Sequence, residues 1–182
     1  MGHDGLVSEW VRQKREAFEA VEGRHVKGWS GVEMALRLEG PDGHPVFDDP
    51  SVHCLHVMVL LADLDHGEAI EVLTYQNDCE WGLQARAAKA ERAVWDGIFR
   101  WRAFDDLPLG AVSNIRLRHS DRGDIGEVLL QVDGQEVLLV AGEIYETPGE
   151  RLEYHAADES VLVFTDLAAA DAITWSGARP QS

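Results

Sequence analysis

Apolar residues near the start of the chain recur at helical spacing. Between residues 6 and 21 they fall three, four or seven positions apart, and charged residues fill the other face; the apolar set is Val7, Trp10, Val11, Phe18 and Val21. This periodicity predicts an amphipathic helix over residues 6–21. Gly23 follows it at a position where helices commonly end, because glycine accepts the left-handed backbone of a helix C-terminus.

The pattern changes to that of β-strands after this helix. Residues 32–38 alternate between apolar and polar side chains and run into the turn-rich residues 40–45, which predicts a strand followed by a loop. Two β-favouring runs, 53–61 and 69–75, are separated by a short polar connection. They predict an antiparallel pair of strands.

The clearest hairpin signal lies at Asp133–Gly134, a two-residue turn between the apolar runs 127–132 and 135–141. With these two residues as the turn, the register pairs Val132 with Gln135, Leu130 with Val137 and Val128 with Leu139. Six residues then share one apolar face: Val128, Leu130, Val132, Val137, Leu139 and Ala141. The hairpin is therefore expected to bury one face of a sheet.

Two periodicities fit residues 83–102. A helical stripe is formed by Leu83, Ala87, Ala90, Val94 and Ile98, but Asp96–Gly97 is also a hairpin turn signature. We favour a short helix that continues through Ala93 and is followed by extended chain.

These elements predict the fold class. Two more strands are expected at 115–119 and 160–164, and a short helical turn at 167–173. The chain of 182 residues shows no internal repeat, no low-complexity tract and no linker rich in proline, glycine or serine. We therefore predict one domain over residues 1–182, of the α+β class, with a mainly antiparallel β-sheet, an N-terminal amphipathic helix and one or two further short helices.

The net charge of the chain is strongly negative. Asp and Glu number 33 against 16 Lys and Arg, a formal charge of −17. Nucleic acids and anionic membranes both require a cationic surface, so neither is an expected partner. The start of the chain lacks a secretory pattern and the two cysteines, Cys54 and Cys79, form no disulfide framework. We therefore expect a cytoplasmic protein.

The negative charge is concentrated in two segments. Residues 38–85 hold ten carboxylates and no Lys or Arg, and residues 123–182 hold twelve carboxylates with only Arg151 and Arg179. If the two segments share one face, they present a negative surface that attracts a basic protein. Such a surface suits a protein that blocks a cationic toxin by stoichiometric occlusion.

The predicted partner-binding residues come from these segments and from an aromatic strip. They are Asp63, Asp65, Glu68, Glu143, Glu146, Glu150, Glu153, Asp158, Glu159, Trp95 and Trp101. The strip, residues 95–104, interleaves tryptophan and phenylalanine with arginine, a composition found at protein contacts. A homo-oligomer that buries this strip is a further possibility.

The sequence of residues 137–146 and 158–164 resembles the C-terminal pattern of small uncharacterised bacterial proteins, some of which look like immunity proteins of polymorphic toxin systems. The resemblance covers about the last third of the chain. It implies no catalytic residue.

A small metal-dependent or acid/base hydrolase is the alternative. His53, Cys54, His56 and His66 carry metal-ligating atoms, and the carboxylates between Glu143 and Glu159 lie near His155. Three converging ligands form the minimum for a catalytic zinc site, and a desolvated carboxylate can act as a general acid. Of these carboxylates, Glu143 is expected to be the most desolvated, because it ends a buried strand. We expect no cofactor and no metal.

Overall fold

The computed structural model describes residues 3–78, 80–88, 96–177 and 179. Helix α1 spans His3–Glu19 and helix α2 spans Leu167–Ala172, and a 3-10 turn covers Asp65–Gly67. The strands, in chain order, are β1 His25–Met34, β2 Leu55–Leu64, β3 Ala69–Asn77, β4 Glu80–Ala87, β5 Phe99–Ala103, β6 Gly110–His119, β7 Ile125–Val132, β8 Gln135–Glu146, β9 Leu152–Phe164 and β10 Trp175–Ser176.

The protein is mostly antiparallel β-sheet, with 55% of residues in strands and 12% in helices. The expected α+β class is broadly consistent with these proportions, and a β-rich class fits as well. Among the strands that the structure describes, only β10 pairs in parallel, with β9. Within the described residues, no helix has the length and apolar character needed to cross a membrane.

Six strands pair in a closed cycle. β1 pairs with β2, β2 with β9, and the chain of pairs continues through β8, β7 and β6 back to β1. β3 and β4 extend from β2 beyond its short pairing with β9, and β5 lies beside the C-terminal half of β1. The cycle gives the sheet an inner and an outer face.

The inner face holds the larger core. Alternate residues of the strands point inward, and Phe18 of helix α1 and Val21, just after the helix, join them. The predicted register of the Asp133–Gly134 hairpin is confirmed pair by pair, and all six residues of its predicted apolar face lie in this core. The N-terminal amphipathic helix is also confirmed.

A smaller core covers the outer face of β7, β8 and β9. Its buried residues include Leu138, Val140 and Phe164, and Trp175 packs on Phe164 with ring centroids 6.2 Å apart. Helix α2 closes this core with Ala170, and the Asp166 side chain caps the helix by accepting from two backbone amides. β8 is therefore apolar on both faces.

The prediction of a helix from residue 83 is wrong where the structure describes it. β4 pairs with β3 over its full length, from Asn77 opposite Glu80 to Ile70 opposite Ala87, and Leu83 is fully buried. Tertiary pairing therefore overrides the helical stripe. The predicted continuation to Ala93 falls on residues 89–95, outside the described residues, and the extended chain predicted after it is confirmed as β5.

Candidate functional site

The second acidic segment is gathered on the hairpin that β8 and β9 form. Tyr145 pairs with Glu153 and Glu143 with His155, so these side chains share one face of the hairpin. Ile144 and Tyr154 point to the other face, where they join the outer core. The apolar outer core thus fixes which face of the hairpin is left for contact with a partner.

A four-residue bulge interrupts β9 next to this face. Ala141 pairs with Val161 but the next residue, Gly142, pairs with Ala156, so residues 157–160 have no counterpart on β8. Ala157 has a positive φ of 57°, which turns the chain out of the ladder. The turn brings Asp158 and the exposed Glu159 beside the hairpin face.

We name the resulting surface the acidic tyrosine patch; its residues are Tyr145, Glu153, His155, Asp158 and Glu159. The Tyr145 side chain is 41% exposed, and its hydroxyl donates a 3.2 Å hydrogen bond to Asp158 Oδ2. The His155 ring meets the Tyr145 ring edge to face, with centroids 4.9 Å apart. The patch therefore combines an anchored aromatic ring with carboxylates.

The charge of the patch acts on the tyrosine hydroxyl. Partial burial raises the pKa of Tyr145 to about 12, and the negative charges of Asp158, Glu143 and Glu159 add to this rise. Burial is the largest cause of this rise in pKa, and the carboxylates add to it because a nearby negative charge disfavours the tyrosinate.

A buried polar cluster lies beneath the patch, where β2, β8 and β9 meet. His56, Glu143 and Ser160 are 2%, 1% and 0% exposed. His56 Nε2 lies 2.9 Å from Ser160 Oγ and 2.9 Å from Glu143 Oε1, and the Ser160 hydroxyl contacts the other oxygen of Glu143. The cluster brings together a hydroxyl, an imidazole and a carboxylate.

The arrangement of this cluster differs from a catalytic triad. In a triad the carboxylate binds Nδ1 and leaves Nε2 to accept the proton of the serine. Here the carboxylate and the serine both lie at Nε2, and His56 Nδ1 has no hydrogen-bond partner among the described residues. Since all three side chains are buried, a substrate has no route to the hydroxyl in this conformation.

The four candidate metal ligands are dispersed. His56 belongs to the buried cluster, Cys54 packs against the outer core, His53 is exposed, and His66 lies at the other end of β2 on the 3-10 turn. No group of three or more His, Cys, Asp and Glu side chains within the described part of the chain is placed to hold a metal ion.

Three of the predicted partner-binding carboxylates pair with arginines at the two ends of β1. Asp65 and Glu68 pair with Arg24, just before β1, whereas Glu146 pairs with Arg37, just after it. A ten-residue strand separates the two arginines by roughly 30 Å. Asp65 and Glu68 therefore lie apart from Glu146, but Asp49 of the first segment and Glu146 of the second meet at Arg37. A surface shared by the remaining carboxylates of the two segments stays a prediction.

Other predicted partner-binding residues are placed as follows. Asp63 and Glu150 are exposed, and Trp101 on β5 is half-buried. Glu143 is buried, which removes it from any surface and confirms that it is desolvated. Trp95 lies outside the described residues.

The aromatic strip is only partly exposed. Phe104 is 2% exposed, and Arg100 and Arg102 lie on the buried carboxylate of Glu33 at 2.5 and 3.6 Å. These arginines therefore serve the fold of β1 and β5, and burial of the strip in a homo-oligomer stays a prediction.

Sequence reasoning missed Ser160 and the partnership of His56 with Glu143. The sequence did carry a signal for Ser160, because this serine directly precedes the apolar run 161–164, which is buried in the structure. Comparison with family models, with curated proteins and with solved structures found no match to this chain. Function is therefore inferred from this chain's own residues and contacts.

Proposed function

We propose that this chain is an acidic protein-binding module that takes a basic protein partner on the acidic tyrosine patch. The observation that carries this proposal is Tyr145, an exposed aromatic side chain held by Asp158 and flanked by Glu153 and Glu159. Tyrosine is enriched at the centres of protein interfaces, and surrounding carboxylates select a cationic partner.

The distribution of arginines supports a positively charged partner. Arg24, Arg37, Arg118 and Arg179 are held in ion pairs within the fold, so they neutralise internal carboxylates. Arg151 stands near the patch, at 3.8 Å from Glu153, and its side chain is 79% exposed. The surplus of carboxylates is thus displayed on the surface, where it accelerates association with a basic protein.

The finer proposal is that the chain is an immunity protein of the cytoplasm, of the α+β class, which neutralises a basic toxin. Stoichiometric occlusion requires a rigid surface and no catalytic group. The hairpin fits this need because its other face packs on the outer core, which limits its motion.

The proposal is tested with a lysine-rich peptide as the probe. The double variant Asp158→Asn with Glu159→Gln removes two charges from the patch and keeps the side-chain shapes. The double variant Asp105→Asn with Asp106→Asn is the matched control, because it removes two adjacent exposed charges elsewhere. Probe affinity is measured by titration at low and at high ionic strength.

We expect the patch variant to weaken binding about tenfold at low ionic strength, the equivalent of about 1.4 kcal/mol, and the control to weaken it less than twofold. Added salt should reduce the difference between the variants, since it screens exposed charges. Equal losses in both double variants would show that the probe responds to net charge and would refute a specific site on the patch.

A hydrolase is the second candidate, because Ser160, His56 and Glu143 are in mutual contact. It requires that the bulge opens and exposes the serine. A fluorophosphonate reagent tests this directly: covalent labelling at Ser160 in the native protein would support the hydrolase, and the absence of labelling under conditions that label a serine hydrolase would reject it.

A further inference from the structure

We infer that Ser160, Glu143 and His56 form a clamp that fixes the bulge of β9 and thereby positions Asp158 and Glu159 for binding. The inference rests on the proposed function of the acidic tyrosine patch, which it deepens. In this role the three buried residues are positioning residues, because they act on the partner only through the bulge.

The clamp holds the bulge at its C-terminal residue. Ser160 Oγ lies 2.9 Å from the backbone oxygen of Gly142 and also contacts the Glu143 carboxylate. The register shifts between Ala141 and Gly142 of β8, so Gly142 and Glu143 are the first two residues of the ladder beyond the shift. The hydroxyl thus binds the end of the bulge to the point on β8 where the regular ladder resumes.

One arrangement of protons lets Ser160 donate to an ionised Glu143. A serine hydroxyl has a single proton, and an ionised carboxylate can only accept. If His56 Nε2 carries a proton, it donates to Ser160 Oγ, and the hydroxyl proton is then free for Glu143 or for the Gly142 carbonyl. The opposite arrangement, in which serine donates to His56, would leave the buried carboxylate without a donor from Ser160.

Two other contacts hold the outer part of the bulge. The Thr74 hydroxyl on β3 donates to the backbone oxygen of Glu159, and Asp158 Oδ1 accepts from the Glu159 amide at 2.8 Å. Tyr145 binds the second oxygen of Asp158. Ser160 is held by Gly142 and Glu143, and Asp158 is held by Tyr145. The carboxylates of Asp158 and Glu159 therefore have a defined position.

The close approach of the strands explains why the clamp lies here. A side chain at Gly142 would meet the backbone oxygen of His155 at 2.6 Å, so β8 and β9 pack too tightly for any residue larger than glycine. Directly beyond this point β9 leaves the ladder for four residues. Buried polar side chains are then needed to satisfy backbone groups that the ladder no longer pairs.

The inference is tested with the full chain and three variants. Ser160→Ala removes the hydroxyl, and Glu143→Gln removes the charge but keeps the shape and an accepting oxygen. Ser113→Ala is the matched control, because Ser113 is an exposed serine on β6. Amide hydrogen exchange is measured at residues 157–160 and at the core strand β7, and affinity is measured for the lysine-rich peptide.

We expect Ser160→Ala to accelerate exchange at residues 157–160 by about tenfold and to weaken the peptide by a similar factor, the equivalent of one lost hydrogen bond to a charged group. Glu143→Gln should show the same pattern with a smaller change, and Ser113→Ala should show neither effect. Exchange in β7 should change less than exchange in the bulge, since a purely structural role would accelerate both together.

The outcomes separate the clamp from the function of the patch. Unchanged exchange at residues 157–160 in both clamp variants would overturn the inference. Faster exchange at the bulge with unchanged peptide affinity would overturn the positioning role of the clamp, whereas failure of the unmodified chain to bind the peptide would overturn the proposed function of the patch. Equal acceleration in the bulge and in β7 would overturn the inference by showing a loss of global stability.

Discussion

Arg179 Nε lies 2.5 Å from Glu127 Oε1, and the Glu127 carboxylate is completely buried on β7. Arg118 reaches the other oxygen of Glu127 at 3.1 Å. Arg179 also donates to the backbone oxygen of Ala170 and stacks over Trp175, with its guanidinium 5.1 Å from the ring. A residue near the end of the chain thus compensates a charge buried in the sheet and secures the segment that covers the outer core.

Replacement of Arg179 by methionine should therefore destabilise the protein. Methionine keeps an apolar side chain near Trp175 but leaves the buried Glu127 carboxylate with only Arg118, so we expect a loss of about 1.5–3 kcal/mol in the free energy of unfolding. Urea denaturation measures this loss. Arg151→Met is the control, because its ion pair with Glu153 is exposed and should contribute less than about 1 kcal/mol. Equal small effects in the two variants would contradict this account.

The Arg179–Glu127 pair is also an example of a contact that local sequence patterns do not predict. The register of the Asp133–Gly134 hairpin was predictable, because a two-residue turn and a period of two act over a few neighbouring residues. Contacts such as Arg179 with Glu127 join positions 52 apart, and His56 with Ser160 join positions 104 apart. These residues are brought together by the closed cycle of strands, and no local sequence pattern specifies that cycle.

The candidate site was predictable to a similar extent. The carboxylates of residues 143–159 were expected to act together, and the hairpin does bring Glu153, Asp158 and Glu159 to one side. The bulge was not foreseen, because four unpaired residues interrupt the alternation on which strand prediction depends. The same irregularity hid the role of Ser160.

A pH dependence of stability is expected from Asp49. Its Oδ1 accepts from the hydroxyl and the amide of Ser51, and these bonds, with Arg37 at 2.7 Å from Oδ2, hold the pKa of Asp49 below its usual range. A carboxylate with a lowered pKa in the folded state stabilises the protein above its unfolded pKa, about 3.9 for aspartate, and this contribution is lost as the pH falls through the folded value.

Asp49→Asn should therefore reduce the loss of stability below about pH 4 and lower the stability at neutral pH. The free energy of unfolding is measured by urea titration at both pH values. Ser51→Ala serves as the second variant, since it keeps the carboxylate but removes the hydroxyl bond, and it should show an intermediate pH dependence. A pH profile unchanged in both variants would show that Asp49 makes no such contribution.

Cys54 should react slowly with thiol reagents in the folded protein. Burial raises the pKa of the Cys54 thiol to about 12, from an ordinary value of 9.0. The thiolate is the reactive form, so the raised pKa leaves a much smaller reactive fraction at neutral pH. Iodoacetamide modification, followed by peptide mapping of Cys54, should be slow in buffer and fast in denaturant. Rapid modification of Cys54 in the native state would contradict its burial against the outer core.

Two glycines of β1 should respond very differently to the same substitution. A methyl group on Gly31 would overlap the backbone oxygen of Val59 and lie 2.9 Å from the Phe104 ring, whereas one on Gly28 would meet only Asp63 Oδ2 at 3.5 Å. Backbone atoms cannot move aside without disturbing the pairing of β1 with β2 and β5, which Gly31 joins through Leu60 and Arg102.

We therefore expect Gly31→Ala to destabilise the protein by about 1–3 kcal/mol or more, the cost of inserting a group into a packed site. Gly28→Ala should be neutral or slightly stabilising, because alanine loses less conformational entropy than glycine on folding. Thermal unfolding of the two variants measures this difference in stability, and the chemical change, glycine to alanine, is the same in both. If both substitutions were tolerated equally, the strands at Gly31 could not be packed as closely as the structure places them, and the inner core that depends on this approach would have to be wider.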